Sequence, residues 1–170
     1  MKLLLTVGAQ MPFDRLVDAM DGWAGLHPEA SVRAQIGPSA LCPTHLRAQP
    51  FLDPEHFERA CDEADAIVGH AGTGTLFAAL ERGKPVLVLP RRADLRETRN
   101  DHQLATARRF ALRPGVLVAW EARELPAQLE RLAVLLRAAP VVPVPAQTDG
   151  PLFDALRAFI DTGALPTARP

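Results

Sequence analysis

The sequence predicts a doubly wound α/β fold, a parallel sheet covered by helices on both faces. Three observations carry that expectation. Short apolar runs of strand length recur along the chain, segments with helical periodicity lie between them, and Gly- or Pro-containing turns punctuate the joins. Read in order, strands alternate with helices six times, the pattern of a sheet built by right-handed crossovers. At 170 residues the chain can bury roughly 70% of its unfolded surface, enough for one core.

Lys2 to Val7 is a compact β-type run that ends at Gly8. Phe13, Leu16, Val17, Met20 and Ala24 then share one helix face, with Pro12 suited to an early helical position. Ser31 to Ile36 reads as a second strand, weakened by its arginine and glutamine and closed by Gly37-Pro38-Ser39. His45 to Phe51 is a third, short or at an edge because of Pro50. Asp53-Pro54 starts a helix in which Phe57, Ala60, Cys61 and Ala64 face one way. Ala66-Ile67-Val68 is a strand, an alanine-rich helix follows, and Val86 to Leu89 is the next strand. Thr98 to Leu112 reads as a helix stopped by Pro114-Gly115, and Val116-Leu117-Val118 as a short strand. Leu125, Leu129, Leu132 and Leu136 form a helical stripe. Residues 1–139 thus make the body of the domain. Residues 140–162 form a proline-rich connector and a final amphipathic helix of the same domain, and 163–170 a loose tail.

Nineteen basic and twenty acidic residues leave a net charge of -1. No global field therefore selects nucleic acid or an anionic membrane, and any anion affinity has to be local. Cys42 and Cys61 lack metal-ligand spacing, no secretory leader precedes Leu3-Leu4-Leu5, and no apolar run approaches the length of a membrane span. The expectation is a cytoplasmic chain with reduced thiols.

The chemistry concentrates between Asp65 and Gln103. There Gly69-His70-Ala71-Gly72-Thr73-Gly74-Thr75 joins a strand to a helix. Gly72 and Gly74 let backbone approach a diphosphate, and the following helix aims unpaired N–H groups and its positive dipole end at the same place. The dipole supplies only about 0.3 to 1 kcal/mol, so several N–H groups must act together. Thr73 and Thr75 can add hydroxyl donors. The run is not G-x-G-x-x-G, since Phe77 takes the third glycine's place, and it is no P-loop, since Gly83-Lys84 lies at the wrong end of the helix. The same run is also how many sheets simply pack.

A second cluster, Arg91-Arg92-Ala93-Asp94 followed by Glu97, Arg99, Asn100, Asp101, His102 and Gln103, opens at the same carboxyl edge. It reads either as a solvated, charged loop or as a site in which arginines meet phosphate while Asn100 and Gln103 meet sugar hydroxyls. For His70 the alternatives are a histidine buried at a strand end and a catalytic base. No H-x-x-x-H pair or carboxylate partner is present, which predicts no tightly bound metal or cofactor.

VGAQ and FD near the start, FLD before a helix, ADAIVGHAGTGT, GKPVLVLPR and NDHQ, in this order and spacing, resemble the carboxyl-terminal, donor-binding half of family 28 glycosyltransferases. The likeness covers residues 1–140 and is greatest to the small single-domain members, the catalytic subunits of two-chain N-acetylglucosaminyltransferases and of bacterial exopolysaccharide glycosyltransferases. It implies a Rossmann-like half of a GT-B fold that holds a UDP-sugar as donor substrate. It also implies inverting transfer to a lipid-linked, polyprenyl-diphosphate acceptor. A membrane-attached partner subunit would carry the acceptor half and recruit this chain to the cytoplasmic face of the membrane.

Carried over by position, the resemblance places Gly8 and Gln10 near the donor phosphates and the backbone of Leu52 at the uracil edge. Gly72, Thr73, Gly74 and Thr75 would hold the diphosphate, and His102 and Gln103 would lie next to the donor sugar with Asn100 close by. Beside these, the reading of the residues themselves keeps Arg92 for phosphate charge and His70 as the catalytic candidate. Ala9 stands where many members have a hydroxyl residue, and Ala78 where they have an acidic residue for the ribose; Glu81 and Glu97 are the carboxylates in reach as replacements. The missing acid supports the alternative of a nucleotide-sugar-binding module without its own chemistry. An α/β domain for another phosphorylated metabolite is a third reading.

Overall fold

A computed structural model describes residues 1–138 and 141–143 of the chain. Six strands, β1 (Lys2–Thr6), β2 (Ser31–Gln35), β3 (Arg47–Gln49), β4 (Ala66–His70), β5 (Val86–Leu89) and β6 (Val116–Val118), form one sheet in the order β3-β2-β1-β4-β5-β6. Every pairing is parallel. Strands β1 to β3 are added toward one edge and β4 to β6 toward the other, so the winding reverses between β1 and β4, the switch point at which such sheets open a crevice.

Five helices cover the sheet: α1 (Asp14–Leu26), α2 (Pro54–Glu63), α3 (Thr73–Leu80), α4 (His102–Phe110) and α5 (Leu125–Arg137). The period-2 alternation of the strands sorts the core into two layers. Leu3 and Leu5 of β1 pack with Leu16, Val17 and Met20 of α1 and with Leu125, Leu129 and Leu132 of α5. Leu4, between them, belongs to the opposite layer with Ala60 and Cys61 of α2, Leu76 and Leu80 of α3 and Ala107 of α4. All four residues of β5 are buried, as a central strand covered on both faces requires.

Local signals act as their chemistry predicts in several places. Asp53 caps α2 by accepting the His56 N–H at 2.8 Å, with Pro54 in the first turn. Pro50 ends β3, which is an edge strand of three residues. Two expectations are corrected. The alternation of strand and helix fails once, because β2 and β3 are joined by residues 36–46 without a helix. The helix expected from Thr98 begins only at His102: Arg15 holds Glu97 from across the fold, and within the loop Glu97 Oε2 accepts the Arg92 N–H and Asp101 Oδ1 the Ala93 N–H, which keeps the preceding residues in turns. Arg96 in that loop adopts a left-handed φ of 58°. The expected connector from Pro140, the helix to residue 162 and the tail lie outside the described residues, apart from 141–143.

Candidate functional site at the carboxyl edge of the sheet

Three neighbouring strands, β1, β4 and β5, end in the loops that the sequence singled out. Between them lie two adjoining cavities. One, of about 370 Å³, is lined by Gly8, Gln10, Gly72, Thr73, His102 and Gln103 among others. The second, of about 610 Å³, lies toward β2 and is lined by Gln35, Phe51, Leu52, Phe57, Phe77 and Glu81 among others. Gly8, Ala9 and His70 belong to both, so the end of β4 forms the ridge between them.

His70 defines that ridge. Its Nδ1 lies 3.3 Å from the Thr75 hydroxyl; where that hydroxyl donates, the ring proton sits on Nε2. A Cβ at Gly72 would stand 2.3 Å from Nε2, and one at Gly8 would stand 3.0 Å from Cε1. Both glycines thus make room for the imidazole, and Gly8 also needs its positive φ of 79°. Burial, reinforced by the nearby positive charge of Arg91, holds the His70 pKa down at about 4. At neutral pH the ring is uncharged, and a group this acidic is a weak base toward a hydroxyl. Thr75 is itself buried, its hydroxyl turned to the histidine.

Around Gly72 the backbone is extended and caps α3, which leaves the N–H groups of its first turn facing the cavities. Thr73 lines the smaller cavity, and Gly74 the larger one with nothing within 4 Å of its Cβ position.

The loop after β5 is more internally bonded than its composition implies. Arg91 is only 4% exposed. Its guanidinium donates to the carbonyls of Val7, Met11, Pro12 and Glu97 at 2.6 to 3.0 Å and lies over the Phe13 ring. Glu97 is clamped by Arg15 through two hydrogen bonds of 2.7 and 2.8 Å, with both side chains largely buried. Oε2 also accepts the Arg92 N–H, and Glu97 lines the smaller cavity rather than the larger one. Arg92 lies outside both linings, and its guanidinium pairs with Asp94 and Glu121. Asn100 does not line the cavities either, but its Oδ1 accepts the His102 N–H at 3.2 Å and contacts Nδ1 of the same ring. Gln103 is 5% exposed and accepts the Arg91 N–H on Oε1 at 3.1 Å, which leaves its amide NH₂ for a ligand.

In the larger cavity the Leu52 N–H is already used. It donates to Oε1 of buried Gln35 at 3.0 Å, and Gln35 Nε2 lies 3.4 Å from the Thr6 hydroxyl. Phe51 and Phe77 are large, half-exposed rings on the lining, offering a face to a planar group. Ala78 sits there without a carboxylate. Glu58 is paired with Arg82, which also binds Asp62 at 2.7 Å, whereas the Glu81 carboxylate has no hydrogen bond or ion pair among the described residues.

The structure thus gathers Gly8, Gln10, His70, Gly72, Thr73, Gly74, Thr75, Glu97, His102, Gln103 and Leu52 along one edge and leaves Arg92 and Asn100 off the cavity walls. It adds Thr6, Gln35, Arg15 and Arg91 as supports. Their signal was present as polar residues inside or beside apolar strand and helix patterns. Among the described residues no group of three or more His, Cys, Asp or Glu is placed to hold a metal.

An all-parallel sheet with its cavities at the switch point defines a doubly wound α/β domain that takes its ligand at the carboxyl edge. The family model described as glycosyltransferase family 28 C-terminal domain matches residues 3–139, and the chain belongs to that family. It is similar to the mouse (Mus musculus) UDP-N-acetylglucosamine transferase subunit ALG13, with 31% identity over 115 residues that make up 64% of this chain and 9% of the mouse protein. The chain therefore spans about a tenth of that relative's length. The solution structure of ALG13 shares its fold at a TM-score of 0.57 and 19% identity, covering 91% of this chain and 94% of the other. Acinetobacter baumannii MurG does so at 0.54 and 21%, covering 79% and 44%.

Proposed function

We propose that this chain is the donor-binding catalytic subunit of an inverting glycosyltransferase that moves a sugar from a UDP-sugar to a lipid-linked acceptor. The single observation that carries the proposal is the pair of cavities divided by His70 at the amino end of α3. An apolar cavity with two exposed aromatic rings suits a nucleoside. The ridge, with a helix N-terminus and a neutral imidazole, suits a diphosphate. The smaller cavity, with the free amide of Gln103 and with His102, suits the sugar.

In this reading the acceptor hydroxyl oxygen forms its bond to the anomeric carbon from the open side while the bond to the diphosphate oxygen breaks. UDP leaves with the bonding pair, and the hydroxyl proton passes to a base. The chain's own residues stabilise the charge that grows on the leaving diphosphate: the first N–H groups of α3 and His70 as a neutral donor on Nε2. With its pKa near 4, His70 is better suited to that role than to removing the proton, so the base is assigned to the acceptor side. The acceptor half is assigned to a membrane-attached partner at the cytoplasmic face, working in exopolysaccharide or glycolipid synthesis. That assignment is supported by the mouse relative's description as a subunit.

A second reading, a nucleotide-sugar-binding module without chemistry, is favoured by Ala78 and by the engagement of Glu97 with Arg15. Calorimetry with UDP, UDP-N-acetylglucosamine, UDP-glucose and UDP-glucuronate tests the donor site, and heat with none of them would remove it. Sugar transfer on addition of a membrane partner separates catalytic subunit from module.

A further inference from the structure

The side chain that holds the two halves of the smaller cavity together is Arg91, a residue inside the fold rather than on the surface of the loop. Its guanidinium reaches three carbonyls of the loop after β1, at Val7, Met11 and Pro12, and one of the loop after β5, at Glu97. Its own main-chain N–H donates to Gln103 Oε1 at 3.1 Å, which fixes the rotamer of the amide at the cavity wall. Two loops separated by about eighty positions in sequence (7–12 against 91–97) are thereby registered on one planar group. Lysine has no equivalent geometry, because an ammonium offers a point charge with three donors rather than a fork.

All four of these guanidinium hydrogen bonds go to carbonyls and none to a carboxylate. The nearest candidate, Glu97, directs both oxygens to Arg15. Arg91 therefore holds a positive charge, buried in the cavity wall, that no carboxylate hydrogen-bonds; Glu97 and Asp14 favour that charge only through their fields, against the cost of burial. Its field already reaches His70, whose charged form it disfavours. A field that repels a proton from the ridge attracts an anion to the same place.

We propose that Arg91 is a positioning residue of the donor site: it sets the loops after β1 and β5 in register and supplies a fixed positive charge behind the diphosphate. The proposal rests on the donor-site reading above, and it concerns how the diphosphate of a nucleoside diphosphate is told from an uncharged nucleoside. Arg91 acts through the cavity wall and through Gln103 rather than on reacting atoms.

The experiment compares the parent chain with Arg91→Gln and Arg91→Lys, after circular dichroism has shown native folding. Two quantities are read: UDP and uridine affinities at low and high salt, and the His70 titration by NMR without ligand. Expected in Arg91→Gln is a loss of UDP affinity on the order of tenfold or more, a much smaller loss for uridine, and a rise in the His70 midpoint. Arg91→Lys should hold the His70 midpoint near the parent's yet regain only part of the UDP affinity, because the charge is kept and the four-carbonyl bridge is not. Equal loss for UDP and uridine with an unmoved His70 midpoint would reduce Arg91 to a structural brace and overturn the charge role. Parental UDP affinity in Arg91→Lys would overturn the bridging role, and this variant decides the matter if Arg91→Gln does not fold. Failure of the parent to bind UDP, with the His70 shift present in Arg91→Gln, would instead remove the donor reading while leaving the placement of the charge intact.

Discussion

Acid should destabilise this domain through His70 before it touches the carboxylates. In the unfolded chain the imidazole takes up a proton near its ordinary value of 6.5, whereas in the folded chain burial and the charge of Arg91 delay uptake to about 4. Between those values the unfolded state holds the extra proton, so lowering the pH favours unfolding. The full stability is present above about pH 6.5 and drains away as the pH falls toward 4. The slope approaches 1.4 kcal/mol per pH step, and the whole window is worth about 3 kcal/mol, a large share of the stability of a typical domain.

Asp21 acts in a lower window. Burial alone would raise its pKa, but the N–H groups of His45 and Thr44 outweigh that and hold it below 3.8, so its contribution is lost only as the pH falls beneath that value. Urea denaturation followed by circular dichroism at a series of pH values measures the slope directly. The same series on His70→Gln removes the titrating group, so its slope should flatten whatever its baseline stability. A parent whose stability is level between pH 6.5 and 4.5, or a His70→Gln variant with the parental slope, would refute the assignment.

Two further perturbations test the walls of the site. Gly72→Ala places a Cβ 2.3 Å from His70 Nε2; the imidazole must move, with an expected cost of about 1 to 3 kcal/mol in denaturant midpoints and a shifted His70 NMR signal. Gly74→Ala meets nothing within 4 Å and lies inside α3, so it should be neutral or stabilising by up to about 1 kcal/mol in the same assay. Glu97→Ala leaves Arg15 with a largely buried charge and no carboxylate, where one guanidinium nitrogen, Nη1, already lacks a partner among the described residues. Expected is a loss of about 2 to 4 kcal/mol, with Glu97→Gln recovering part of it and with faster amide exchange across residues 91–101.

Much of the fold was legible because its determinants are local. The run Val86-Leu87-Val88-Leu89 carries the signature of a doubly covered strand, and it is one. Asp53-Pro54 carries a cap and a first-turn proline, and both occupy those places. The start of α4 was not legible, because the residues from Thr98 have adequate helical propensity and only long-range bonds, Arg15 to Glu97 above all, hold the preceding turn out of the helix.

The site divides along a similar line. Position at the carboxyl edge follows from strand order and loop order, so Gly8, His70, Gly72 and Gln103 could be grouped from sequence. Which charges remain available does not follow, because a guanidinium or carboxylate is indistinguishable on paper whether it faces solvent or its own fold. Read as text, residues 91–103 are a dense array of ions for a charged ligand. Folded, Arg92 pairs with Asp94 and Glu121, Glu97 with Arg15, and Arg91 with backbone carbonyls. The groups left on the cavity walls are mostly neutral: the N–H groups at the start of α3, the Thr73 hydroxyl, the Gln103 amide and the His70 imidazole. A diphosphate held by such groups would be recognised by preorganised dipoles, with one remote cation behind them. Because dipoles fixed by the fold reorganise little as charge moves onto a leaving group, they stabilise that charge without a compensating penalty in the bound state. Arrays of exposed arginines would bind the resting anion equally well and gain less in the transition state. On the proposed donor-site reading, the internal pairing of the 91–103 loop is therefore what suits the site to chemistry as well as to binding.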